Sequence, residues 1–143
     1  MNVLQISAND THEIRSVVLA DEFSNNYSYH NDDRDQTFHL GAFDDNKLVS
    51  VASFFFEKID NFEDEYQYQL RGMATLPKHR HKGFSSELLQ MAFSIIKQNQ
   101  CTILWCNARE SARGYYEKVG FMVIDGPYEN DQIGNYYLMS KSI

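Results

Sequence analysis

The feature that most constrains the fold is a strand-helix-strand unit in the middle of the chain. Tyr66 to Thr75 has the composition of a strand and stops shortly before Pro77, which has no N–H to give a sheet ladder. From about Gly83 to Gln98, the residues Leu88, Leu89, Ala92, Phe93 and Ile96 recur at helical spacing, the clearest helix in the sequence. Thr102 to Cys106 follows as a compact apolar strand. Upstream, Val3 to Ile6 alternates as a short strand does. Asp10-x-x-Glu13 then has the form of a capping box, opening a helix with Ile14, Val17, Val18 and Phe23 inward. Strands near Thr37–Phe43 and Leu48–Phe56 are joined at Asp44-Asp45-Asn46, residues that tolerate a tight hairpin. Downstream, Ser111 to Val119 is an amphipathic helix ended by Gly120, and strands near Phe121–Asp125 and Asn135–Ser140 finish the chain. Antiparallel strands around a strand-helix-strand unit predict an α/β (mixed α+β) fold, with one mixed sheet and helices on both faces.

With 143 residues the chain is expected to form a single domain, 1–143, burying roughly two thirds of its unfolded surface without staples. No apolar stretch has the length of a signal peptide or a membrane span, so a cytoplasmic protein is expected. Cys101 and Cys106 stand five apart in one apolar run. Strand alternation would send them to opposite faces as buried thiols, with no disulfide and no metal site. The net charge of −7 opposes binding to nucleic acid or an anionic membrane. The signs are uneven, however. Acidic residues crowd Asp32–Asp35 and Glu57–Glu65, whereas Lys78, Arg80 and Lys82 cluster with His79 and His81.

That basic cluster sits between a strand and a strong helix, in Pro77-Lys78-His79-Arg80-His81-Lys82-Gly83-Phe84-Ser85-Ser86. A helix N-terminus presents unpaired N–H groups and partial positive charge, and so favours a phosphate. Gly83 permits close approach, Ser85 and Ser86 are small, and Arg80 and Lys82 add charge. By itself the cluster would still be read as solvated surface. Arg80-His81-Lys82-Gly83-Phe84-Ser85, however, resembles the acyl-CoA signature Q/R-x-x-G-x-G/A of the GNAT superfamily of N-acetyltransferases. It is preceded, as in that family, by a strand and a proline turn, Leu70-Arg71-Gly72-Met73-Ala74-Thr75-Leu76-Pro77. Downstream, Ala112 to Phe121 resembles the family's A-x-x-x-Y-E-K-x-G-F stretch and follows a strand ending in Asn107-Ala108-Arg109. Ser85 departs from the signature's final Gly or Ala, and its hydroxyl is expected to donate to the pyrophosphate.

The resemblance implies the GNAT fold, a mostly antiparallel sheet of six to seven strands, and acetyl-CoA as cofactor. It places the pyrophosphate on Arg80, His81, Lys82, Gly83, Phe84, Ser85 and Ser86, the pantetheine beside backbone groups of Met73, Ala74 and Thr75 at a bulge, and Asn107, Arg109 and Tyr116 along the rest of the cofactor. Tyr116 matches the family's frequent tyrosine acid. A phenol near pKa 10 protonating a thiolate near 8.5 is uphill by only about 2 kcal/mol. Glu57, His39, Glu65 or a backbone-held water could accept the amine proton; Glu57 is preferred because it ends the run Phe54–Phe56, where the sheet is expected to open. The acceptor is expected to be a primary amine of a small molecule or peptide, attacked directly in a ternary complex. The competing reading is a non-catalytic acyl-CoA-binding regulatory domain. The acidic runs are read as solvated faces rather than as attractors of a cationic amine. Residues 24–36 and 126–135 are expected on the acceptor side, and Tyr136 and Tyr137 are candidates for a homodimer contact.

Overall fold

Among the described residues, the strand-helix-strand unit is the one place where the sheet runs parallel. The computed structural model describes residues 2–23 and 26–143. Its strands are β1 (Asn2–Ile6), β2 (Phe38–Asp44), β3 (Lys47–Phe55), β4 (Gln67–Thr75), β5 (Ile103–Arg109), β6 (Met122–Tyr128) and β7 (Tyr136–Ser142); its helices are α1 (His12–Val18), α2 (Phe84–Gln98) and α3 (Glu110–Lys118). The seven strands form one sheet in the order β1-β2-β3-β4-β5-β7-β6. The β4–β5 pair is parallel, because α2 carries the chain back to the starting end, and the pairs on either side are antiparallel.

The two faces have separate cores. Leu88, Leu89, Ala92 and Ile96 of α2 pack with Leu40, Phe54 and Leu104 of the sheet, and Tyr116 of α3 joins the same cluster. On the other face Ile14 of α1 meets Val51 and Ala74. Beside it Ile103, Trp105 and Leu138 are covered by Ile59 and Phe62, from the acidic connection between β3 and β4. Alternation along β5, with Leu104 on one face and Ile103 and Trp105 on the other, places helices on both sides of the sheet.

Several expectations are corrected. The capping box lies three residues earlier: the Ser7 N–H donates to Asp10 Oδ2 at 3.1 Å and the Asp10 N–H to Ser7 Oγ at 3.3 Å. The chain therefore enters α1 through a 3-10 turn, Asn9–Thr11. Val17 is 59% exposed rather than inward, because the short α1 turns only a narrow stripe to the sheet. Asp32 is not on a solvated face. It is buried against Arg15, with both carboxylate oxygens accepting from the guanidinium at 2.7 and 3.0 Å. Cys101 precedes β5, so strand alternation does not govern it, and it enters the same core cluster as Cys106; both thiols are free. Ser24 and Asn25, in the expected loop 24–35, lie outside the described residues. From Tyr29 to Thr37 that loop is held by turn hydrogen bonds.

Candidate active site

β4 and β5 pair over three positions only, Gln67↔Ile103, Tyr68↔Leu104 and Gln69↔Trp105. Beyond them each strand follows its other neighbour. β4 stays with β3 to Ser50↔Thr75, and β5 stays with β7 to Arg109↔Tyr136. The strands therefore splay, and a cleft of about 1240 Å³ opens between them. A bulge sets the splay. Ser53 pairs with Arg71 and Val51 with Ala74, so β4 spends three steps where β3 spends two. Gly72 takes the extra residue at φ +65°, and a Cβ there would stand 3.1 Å from the Tyr29 ring. Ladder groups of β4 that point toward β5 past Gln69 have no strand to pair with, which leaves backbone around Met73, Ala74 and Thr75 along the cleft wall.

One end of the cleft is the turn into α2. Gly83, at φ +88°, caps this fifteen-residue helix without any side-chain hydrogen bond, so its first-turn N–H groups remain open. His81 also has positive φ, 63°, a strained setting for a residue with a Cβ. Arg80, His81, Gly83, Ser85 and Ser86 line the cleft, whereas Lys82 is exposed and outside its lining. Phe84 turns its ring into the core and leaves only backbone to this wall. The Ser85 hydroxyl donates to the Tyr115 hydroxyl at 2.8 Å, so in this structure it serves the wall rather than an open anion site.

Tyr116 is buried in the core cluster yet reaches the cleft, its hydroxyl donating weakly to Met73 Sδ at 3.8 Å. Burial pushes its phenol well above the ordinary value, with smaller contributions from Cys106, Tyr115, Glu22 and Tyr29. Asn107 and Arg109 also line the cleft, but the Arg109 guanidinium is taken up by carboxylates. It donates to both oxygens of Asp21 at 2.9 Å and to Glu22 Oε2 at 2.8 Å.

The structure does not bring Glu57 to this cleft. It follows β3 beyond Phe55, which pairs with Gln69, at the end where β4 and β5 are still joined. Its carboxylate accepts from Asn31 Nδ2 at 2.9 Å and Arg34 Nη1 at 3.3 Å. The sheet opens at the opposite end, which the end of an apolar run could not reveal. His39 is also internal, bonded to Ser53 Oγ at 2.7 Å and to the Asp32 carbonyl at 3.0 Å, and Glu65 pairs with Lys58. Of the segment 126–135, Asn130 and Ile133 line the cleft. Tyr137 is corrected as a dimer contact: β7 is an inner strand, and this side chain is buried beneath Arg113 with its hydroxyl donating to Glu110. Sequence reasoning missed Glu22 and Arg71 as cleft residues. Glu22 has no spacing to the signature, and Arg71, although in the strand that leads into it, carries no motif position of its own.

Comparisons with known proteins match both this sequence and this fold. The model of the acetyltransferase (GNAT) family matches residues 3–121, and the chain belongs to that family. It is 35% identical over 144 aligned positions to the uncharacterized N-acetyltransferase YitI of Bacillus subtilis (strain 168), covering 100% of this chain and 97% of that protein. An aminoglycoside 6′-N-acetyltransferase complexed with coenzyme A superposes with a TM-score of 0.80 at 12% identity, over 99% of this chain and 97% of the other. An acyl-CoA N-acyltransferase from Pseudomonas aeruginosa does so with a TM-score of 0.74 at 17% identity, over 98% of each. At these identities the two structures share the fold. Together with the family match they make the protein an acyltransferase of the N-acetyltransferase class.

Proposed function

We propose that this protein moves the acetyl group of acetyl-CoA to the primary amine of a small molecule by direct attack in a ternary complex. The observation that carries this reading is the cleft itself, which runs from the Gly72 bulge to the Gly83 turn between two splayed strands. The coenzyme A bound to the aminoglycoside acetyltransferase of the same fold supports the cofactor.

In this reading the open N–H groups at the start of α2, with Arg80 and Lys82 nearby, hold the pyrophosphate. The pantetheine lies along Met73, Ala74 and Thr75 as a surrogate strand, and a backbone N–H beyond the bulge donates to the thioester oxygen as it becomes an oxyanion. The amine nitrogen attacks the carbonyl carbon, the C–S bond breaks, and the sulfur leaves with the electron pair. Tyr116 protonates it. The raised pKa of the phenol does not disqualify it, because the dry surroundings that disfavour a phenolate also disfavour a thiolate beside it. The amine proton goes to Glu22, which stands on the cleft wall where Glu57 does not.

Initial rates varied against both substrates test the order of events. A ternary complex gives intersecting reciprocal plots. Parallel plots, the signature of a covalent acetyl-enzyme, would contradict direct attack.

A further inference from the structure

Two arginines face the ring of Tyr29, and they differ in what balances their charge. The guanidinium carbon of Arg15 lies 4.4 Å from the ring centroid and that of Arg71 lies 4.1 Å away. Arg15 is fully buried and its charge is balanced by Asp32, its two terminal nitrogens donating to Asp32, Ser53 Oγ and the Tyr27 carbonyl while Nε has no partner among the described residues. Arg71 lines the cleft and meets no carboxylate among the described residues. Nearby Arg109 has two, Asp21 and Glu22. Arg71 is therefore a half-buried cation, aromatic on one side and open to the cleft on the other, with its planar fork of donors free for an anion.

The hydroxyl of the same ring meets the opposite sign. The Tyr29 hydroxyl donates to Glu22 Oε1 at 3.4 Å, a long bond that leaves this oxygen with acceptor capacity, and Glu22 also lines the cleft. One tyrosine thus touches a carboxylate with its hydroxyl and an unpaired guanidinium with its face, and Glu22, Arg71 and Tyr116 line the same cleft. A molecule with an amine and a carboxylate a few bonds apart satisfies both groups. A diamine would bring a second positive charge against Arg71, and a plain alkylamine would leave Arg71 unpaired.

We propose that the acceptor is a small amino carboxylate, held with its carboxylate on the Arg71 guanidinium and its amine on the Glu22 side of Tyr29, beside the thioester. This rests on the acetyl-transfer reading above and names its substrate class. In the reaction the N–C bond forms and the C–S bond breaks. The thiolate takes its proton from Tyr116, the amine gives its proton to Glu22, and the acceptor's carboxylate is unchanged. Arg71 is a specificity residue.

The test uses matched acceptors, glycine, β-alanine and 4-aminobutanoate, each against its own amide and the diamine of equal length. With acetyl-CoA and the wild-type protein, the best amino carboxylate is expected to exceed its amide in kcat/KM by roughly 10- to 100-fold, the range of a charge-assisted pair. In Arg71→Gln that ratio collapses to near unity, with part of it recovered in Arg71→Lys. Because the ratio is taken within one variant, a general loss of activity cancels. An amide or diamine preferred in the wild type, or a ratio unchanged in Arg71→Gln, overturns the proposal and leaves acetyl transfer intact. A second readout does not need turnover: with coenzyme A bound, the amino carboxylate should raise the melting temperature of the wild type and not of Arg71→Gln. That Arg71-dependent shift without transfer to any acceptor would sustain the carboxylate site and overturn the acetyl-transfer reading instead.

Discussion

Tyr116 is the residue on which the proposed chemistry turns. Replacing it with Phe removes the acid and keeps the ring in the core, where it packs beside Phe121 with centroids 5.3 Å apart. Tyr116→Phe is expected to lower kcat by about 10²-fold or more with little change in KM for acetyl-CoA; an unaltered kcat would take this side chain out of the mechanism. Because burial holds the phenol well above its ordinary value, it stays protonated through the neutral and mildly alkaline range. The kcat/KM profile should therefore rise with pH as the amine deprotonates and show no falling limb below about pH 10. A limb near pH 8 would point to a different acid. Tyr116 was legible in the sequence because it sits in a motif of contiguous residues. Glu22 and Arg71 were not, since one lies in a 3-10 turn and the other on β4, and only the packing of that turn against the sheet places both at one cleft. Glu57 was misassigned for the converse reason. Its place in the sequence was read correctly, but which end of the sheet opens is a property of strand pairing.

At the scale of elements, the Gly72 bulge and the Gly83 turn make the cleft, and they should fail differently when filled. A Cβ at Gly83 meets nothing within 4 Å, so Gly83→Ala carries only the strain of positive φ, about 1–2 kcal/mol. At Gly72 the same strain is joined by contacts of 3.1 and 3.3 Å with the Tyr29 ring and hydroxyl. Gly72→Ala should destabilise by more than Gly83→Ala in denaturant unfolding, whereas Gly83→Ala should weaken acetyl-CoA binding with little loss of fold. Equal destabilisation would mean that Tyr29 moves aside freely. The order of elements and the strand-turn-helix at the signature could be read from periodicity and punctuation. Strand lengths could not. The apolar run that marks β5 stops at Cys106, and the strand continues through Asn107-Ala108-Arg109, as the family resemblance implies, because β7 supplies partners after β4 has left. The chain entry into α1 was displaced because Ser7 and Asp10 cap each other, a pairing of two short polar side chains that the Asp10–Glu13 spacing masked.

Across the whole molecule, a buried polar cluster ties the α1 face to the sheet. Arg15 of α1 bonds Asp32 of the long loop and Ser53 of β3, and His39 of β2 bonds Ser53 and the Asp32 carbonyl. Asp32→Asn would leave Arg15 charged and buried, and should cost about 3–5 kcal/mol in denaturant unfolding. A loss below about 1 kcal/mol would show that the pair is dispensable. For Asp32, burial opposes the charge, but the hydrogen bonds and charge of Arg15 and the Tyr29 N–H outweigh it and hold the carboxyl below the usual range. For His39, burial lowers the pKa, and the Asp32 carbonyl and carboxylate pull the other way without prevailing. Both folded values lie below the unfolded ones, so both contributions are fully present above the unfolded pKa and are lost as pH falls toward the folded pKa. The melting temperature should therefore fall from below about pH 6.5, first through His39 and then, below about pH 4, through Asp32. A melting temperature flat between pH 7 and pH 5 would contradict this assignment. Most of this cluster was invisible in the sequence, where Asp32 looked like one more member of an acidic run.

The central claim is that the splayed β4–β5 cleft transfers acetyl groups from acetyl-CoA to an amine. The most direct measurement is release of coenzyme A thiol from acetyl-CoA, with and without an acceptor amine, alongside the amount of N-acetylated product found by mass spectrometry. The native protein should add no background, since Cys101 and Cys106 are buried and the Cys106 thiol is pushed up to about 12 by burial. Thiol release is expected to depend on the amine, with one amide formed for each thiol. Acetyl-CoA bound in the cleft with no amine-dependent thiol release across neutral, cationic and carboxylate-bearing acceptors would contradict it.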